Sequence, residues 1–174
     1  MELKVKNKQN NSKFCFVCGM ENDYGLKADF FELENDQLVS TFSPCKFHQG
    51  YPGRLHGGIA STILDETMGR AILISDSSVW GVTVELNVRF KKPVSLDNDI
   101  MVICKLTSEN TRLFEAEGKI ILPNGETAVT AKGKYIKLSL KKITEQDFVD
   151  DQWFKIEDIN DPKEINLPDK AIND

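Results

Sequence analysis

The chain has 174 residues, a hydrophobic content of 40% and a formal net charge of −5, with a sequence pI near 5.2. That size suits one domain with tails, and the acidic balance argues against a nucleic-acid surface. No run of 18 apolar residues marks a membrane span. The N-terminus, MELKVKNKQNNSKF, has charge but no apolar signal core, so the expectation is a cytoplasmic protein whose four cysteines are reduced.

Residues 1–13 are polar and rich in Lys and Asn, and read as a flexible N-terminal segment. Cys15-x-x-Cys18 follows in an aromatic setting, and Cys45-x-x-His48 lies downstream. Together they have the ligand types of a structural zinc site, and a hairpin of 30–33 and 38–42 would bring both pairs to one side. The 26-residue separation is long for a small ribbon, His48 also suits the loop that follows, and reduced cysteines serve as apolar filler. Packing is therefore preferred to metal. A thioredoxin-like role ranks lower still, since no βαβ unit surrounds the pair.

Phe30–Leu33 and Leu38–Phe42 read as short strands. The stretch 48–74, HQGYPGRLHGGIASTILDETMGRAILI, then holds both histidines of the chain and its one long apolar segment of helical period. Ile59, Ala60, Ile63, Leu64, Ala71 and Ile74 predict a buried helix over Gly57–Ile74. Two acids sit inside it. Glu66 has Arg70 four residues on, the favourable order for an ion pair. Asp65 has no cation one turn away and shares a strip with small Ser61 and Gly69, so a ligand could approach its carboxylate. A solvent-facing Asp is the plainer alternative. At the helix start, Gly57 and Gly58 leave backbone N–H groups open where the dipole favours negative charge, a place for an oxyanion. The same glycines would equally permit a tight turn.

Val79–Phe90 alternates Val82, Val84, Leu86, Val88 and Phe90 with Thr83, Glu85, Asn87 and Arg89, a strand with one wetter face. Strands over Ile100–Ser108, Arg112–Leu122 and Thr127–Leu140 follow, the last two joined at Pro123-Asn124-Gly125. Two strands, one helix and four strands predict an α+β domain with the helix across one sheet face. Residues 141–174 form an acidic C-terminal extension, with a short helix within Ile143–Asp151 and Trp153-Phe154 docking on the domain.

Three stretches, CFVCGMENDYGLKADF (15–30), HQGYPGRLHGGIASTILDETMG (48–69) and TVELNVRFKKPV (83–94), resemble the hotdog-fold acyl-CoA thioesterases of the PaaI-like, 4-hydroxybenzoyl-CoA thioesterase superfamily. The resemblance covers most of residues 14–140. It implies a curved antiparallel sheet wrapped round the central helix, and a dimer or tetramer with sites at subunit interfaces. It implies no cofactor for catalysis. Carried onto this chain, Asp65 matches the catalytic acid, Gly57 the oxyanion donor and His56 the histidine that shapes the helix start. Thr83 lies near a position that orients water. Where several relatives carry Asn, this chain has Gly50, and Gln49 beside it could take that polar role. Gly58 shares the helix start, and Arg54, Arg89, Lys91 and Lys92 suit coenzyme A phosphates. The expected reaction is acyl-CoA hydrolysis. A hotdog 3-hydroxyacyl-CoA dehydratase pairing His48 with Asp65, or a non-catalytic acyl-CoA binding module, are the alternatives.

Overall fold

The computed structural model describes residues 1–145 and 147–168. In chain order it places β1 (Glu2–Lys8), β2 (Asn11–Ser12), β3 (Asp29–Leu33), β4 (Leu38–Phe42), α1 (Gly57–Arg70), β5 (Trp80–Phe90), β6 (Ile100–Glu109), β7 (Leu113–Ile121), β8 (Thr127–Leu138), α2 (Phe148–Gln152), β9 (Trp153–Phe154) and β10 (Glu164–Asn166). Eight strands form one sheet in the order β10-β1-β3-β4-β6-β7-β8-β5, each antiparallel to its neighbours. The helix α1 touches β4, β5, β6, β7 and β8. One helix held by most of one sheet is the hotdog architecture that the resemblance implied.

Period-2 alternation sorts the core. Phe30, Leu38, Val102 and Ile120 pack in the cluster that includes Ile63, Leu64 and Met68 of α1. Their neighbours Phe31, Val39, Ile103 and Ile121 belong to a second cluster with Leu3, Ile165 and Leu167. Successive side chains point to opposite faces, so each strand feeds both clusters. Burying Ile63, Leu64 and Met68 completely contributes about 1.5–3 kcal/mol each.

The α-helical hydrogen bonding ends earlier than the periodicity predicted. After Arg70 the chain tightens into a 3-10 turn over Ala71–Ile74, the usual way a last turn satisfies its carbonyls. Ala71 and Ile72 remain buried, so the apolar pattern was followed while the hydrogen bonding changed.

The expectation of a flexible segment over 1–13 is corrected. Its lysines disguise an alternating strand in which Leu3 is buried. β1 pairs with β3 on one side and β10 on the other. Lys8, only 7% exposed, bonds Asp29 at 3.1 Å and Asp161 at 2.7 Å. Part of the acidic extension is likewise built into the sheet, through β10. Residue 146 of the expected 143–151 helix and residues 169–174 of the extension lie outside the described residues.

β5 departs from simple alternation. Its register to β8 slips between Thr83 and Glu85, with Thr83 opposite Tyr135 and Glu85 opposite Lys134. This bulge changes the inward phase of the strand. Before it, Gly81 and Thr83 face α1, the first 3.2 Å from the Gly69 carbonyl at its Cβ position and the second bonded to Asp65. After it, Leu86 and Val88 pack on the core, while Val84 is left 60% exposed. Read as an unbroken alternation, the sequence puts Thr83 on the wetter face.

Candidate active site

Asp65 is half-buried in mid-helix. The Thr83 hydroxyl donates to both of its carboxylate oxygens, at 2.9 and 3.1 Å. The Tyr135 hydroxyl lies 3.2 Å from both Oδ1 and the Asp65 backbone carbonyl oxygen. Burial raises the carboxyl above its ordinary range, against the opposing pull of these two hydrogen bonds, with neighbouring Glu66 adding to the rise. The group is thus a stronger base than a solvated aspartate and is aimed by two hydroxyls.

Tyr135 escaped sequence reasoning. It is 1% exposed, stacked on Phe114 at 4.9 Å, and reaches the helix because two glycines give it room. A Cβ on Gly133 would lie 2.4 Å from its hydroxyl, and one on Gly69 would lie 3.3 Å from its ring. A glycine two residues before a tyrosine in a strand was the available signal. Burial raises the tyrosine, so it stays protonated and able to donate.

A pocket of 320 Å³ opens on Asp65, lined also by Thr83, Tyr135, Trp80, Phe148 and Trp153. Trp153 lies 5.2 Å from Trp80 and 5.5 Å from Phe148. The C-terminal extension therefore supplies an aromatic wall, and Trp153 docks as expected.

The other end of α1 carries His56 as N-cap, its Nδ1 accepting the Gly58 N–H at 2.9 Å. The imidazole thus satisfies one of the orphan donors of the first turn. The Gly57 N–H, ahead of any intrahelical acceptor, has no partner among the described residues. Gly57 lines a 310 Å³ cavity together with Phe90, Lys91 and Lys92. Lys92 bonds Glu126 at 2.6 Å. Arg89 and Lys91 also border a separate groove on β5 to β8, and Arg54 is exposed in the loop before the helix. Gln49 is turned into that loop, its Oε1 accepting the Gly53 N–H at 3.2 Å.

Within one chain the two ends of α1 do not meet. Asp65 lies eight residues after Gly57, roughly 12 Å along the axis at 1.5 Å per residue. A single carbonyl cannot touch both, and they line different pockets.

The zinc set is not assembled. Among the described residues, the metal-ligating atoms that gather within 4.8 Å of one another are those of Cys15, Cys18 and Glu66. Cys45 and His48 instead contact each other, Sγ to Nε2 at 3.9 Å, with His48 Nδ1 accepting the Cys45 N–H. His48 is 4% exposed and packs edge-on to Phe42. It serves the loop's packing rather than a metal. The Glu66–Arg70 pair is formed as expected, at 2.7 Å.

Residues 52–129 match the thioesterase superfamily. The chain is similar to acyl-coenzyme A thioesterase THEM4 of Mus musculus, 31% identical over 121 residues, covering 68% of this chain and 48% of that protein. It is also similar to acyl-coenzyme A thioesterase 13 of Homo sapiens, 29% identical over 91 residues, covering 52% of this chain and 64% of that protein. The chain spans about half the length of the THEM4 relatives it matches. A solved thioesterase superfamily protein superposes with a TM-score of 0.65 at 26% identity, over 70% of this chain and 59% of that one. Zebrafish thioesterase superfamily member 2 gives 0.58 at 21% identity, over 63% and 80%, a likeness of fold alone.

Proposed function

The chain belongs to the thioesterase superfamily through its residues 52–129, and from that premise we propose that it hydrolyses an acyl-coenzyme A thioester to the free acid and coenzyme A. The observation that carries the reading is Asp65: a half-buried carboxylate at a pocket with an aromatic wall of Trp80, Phe148 and Trp153, held by Thr83 and Tyr135, with its proton affinity raised. A thioester needs a base or nucleophile on one side of its carbonyl and an oxyanion donor on the other. Asp65 takes the first role and the free N–H of Gly57 the second. His56 fixes the first turn of the helix so that this N–H points outward.

The active unit in this reading is a homodimer in which Asp65 of one copy faces Gly57 of the other. The roughly 12 Å between them along one helix supports it. So does the free edge of β5, an eleven-residue strand at the end of the sheet on which Val84 and Phe90 are exposed. Such an edge pairs with a second chain unless it is blunted. Lys91 and Lys92 beside Gly57, with Arg89 and Arg54 nearby in sequence, suit the phosphates of coenzyme A.

The test is thiol release from a panel of acyl-coenzyme A compounds, followed with a thiol reagent. Release of coenzyme A supports the reading. Hydration of an enoyl-coenzyme A in its place, or binding without either reaction, overturns it. A single turnover in heavy-oxygen water then separates two routes. Label in the protein reports attack by Asp65 itself, with water opening the anhydride at the Asp65 carbonyl, whereas general-base catalysis leaves none there.

A further inference from the structure

The acyl-CoA reading leaves the Cys15-x-x-Cys18 motif without a role, yet the structure surrounds it with a specific environment. Cys18 is 1% exposed, and its sulfur receives converging donors. The Arg70 Nη2 donates to it at 2.9 Å and the Ser12 N–H at 3.3 Å. The Cys15 thiol is a further donor, and its bond is the largest influence lowering the Cys18 thiol, against the burial that raises it. A neutral thiol is a weak acceptor, so an array of this kind solvates a thiolate. Cys15 is held higher, chiefly by the same bond.

Arg70 is itself immobilised. Its Nε donates to Glu66 at 2.7 Å and its Nη1 to the Asn10 carbonyl at 2.7 Å. Its guanidinium lies 4.1 Å from the Phe30 ring centre and 4.7 Å from that of Trp153. This cation already occupies the space between Glu66 and Cys18 and supplies the positive charge a metal would bring. The tight turn around the motif depends on Gly19, where a Cβ would fall 2.3 Å from the Cys15 carbonyl oxygen. Both cysteines line the 320 Å³ pocket, with Cys15 the less buried of the two.

We propose that Cys15 and Cys18 are a reversibly oxidised dithiol in the wall of the Asp65 pocket, with Cys18 the attacking thiolate and Cys15 the resolving thiol toward a small peroxide. The Cys18 sulfur attacks one oxygen of hydrogen peroxide, the O–O bond breaks and hydroxide leaves, making Cys18 a sulfenic acid. The Cys15 sulfur then attacks the Cys18 sulfur. The S–O bond breaks, and the oxygen departs as water with the proton of Cys15. Two electrons pass from the thiol pair to the peroxide, and a dithiol reductant returns them. The assignment stands on the cysteine cluster alone and does not depend on the acyl-CoA reading.

The experiment titrates the full-length reduced protein with hydrogen peroxide, quenches, and maps thiols and disulfides by mass. Cys45 is the internal control, because it is the exposed cysteine of the four. The expected result is loss of two of the four thiols, both in the Cys15–Cys18 peptide, before Cys45 is consumed, and their recovery with dithiothreitol. Cys15→Ser should stop at a sulfenic acid on Cys18 that a dimedone probe captures, and Cys18→Ser should leave Cys15 reduced. Oxidation of Cys45 first, with the Cys15–Cys18 peptide intact, overturns the proposal. So does zinc that co-purifies with the untagged protein and leaves on chelation. The wild-type mapping decides the matter even if a variant fails to fold.

Discussion

At the scale of single residues, the site rests on a carboxylate whose protonation the fold has altered. Burial raises Asp65, so the folded protein holds this proton more tightly than the unfolded chain. The ionised group therefore subtracts from stability above its folded pKa and has no such effect below the unfolded value. Asp65→Asn should then do two opposite things at neutral pH. Acyl-CoA turnover should fall on the order of 10²–10⁴-fold, while the denaturation midpoint in urea rises, a gain that vanishes in acid. Unchanged turnover would remove Asp65 from its role. Tyr135→Phe deletes one of the hydrogen bonds that hold Asp65 down. The acidic limb of kcat/KM should accordingly move to higher pH, and a limb that stays in place would dissociate Tyr135 from the base. Gly57 permits an unusually clean substitution. His56 before it is extended, with φ −66° and ψ 136°, the conformation that tolerates a following proline. Proline is also favoured at a first helical position. Gly57→Pro should keep the fold, remove only the N–H, and lower kcat roughly 10²–10³-fold. Full activity would place the oxyanion elsewhere.

At the scale of elements, the N-terminal and C-terminal segments are parts of the sheet rather than attachments to it. Leu167 is completely buried in the second apolar cluster with Leu3, Phe31 and Ile103. Leu167→Ala should cost about 2–5 kcal/mol of unfolding free energy, as large-to-small changes in a packed core do. A peripheral tail would lose under about 0.5 kcal/mol, and chemical denaturation separates the two. The helix and β3 to β8 were legible because each follows a single hydrophobic period. β1 was not, because five residues of Glu2–Lys8 are charged or amide and only Leu3 and Val5 mark the alternation. The bulge in β5 was not legible either. One extra residue leaves the period-2 pattern of the sequence intact while reversing which side faces the helix, and this reversal is what delivers Thr83 to Asp65.

At the scale of the whole molecule, a site divided between two copies makes a quantitative prediction. When Asp65→Asn and Gly57→Pro proteins are unfolded together and refolded in equal amounts, half the dimers are mixed. Each mixed dimer has one site with both groups intact and one with neither. Activity should recover to about a quarter of wild type if the sites are shared across a two-fold interface. No recovery, or sedimentation as a monomer at micromolar concentration, would confine the chemistry to one chain. Among the described residues no helix is long and apolar enough to cross a membrane.

The sequence by itself determined the helix, the six strands that flank it and the Glu66–Arg70 pair. All of these follow from local spacing: periods of 2 and 3.6, and charges one turn apart. Only the tertiary structure decided which groups meet Asp65, since Thr83 and Tyr135 lie 18 and 70 residues away and their approach depends on a bulge and on two glycines. It also decided against the four-ligand zinc set. Spacing supplied ligand types, but Arg70, 52 residues on from Cys18, fills the place beside Cys18 and Glu66, and His48 turns to Cys45. Local pattern is set by neighbours along the chain, whereas a site is set by register and packing between segments, which no single stretch records.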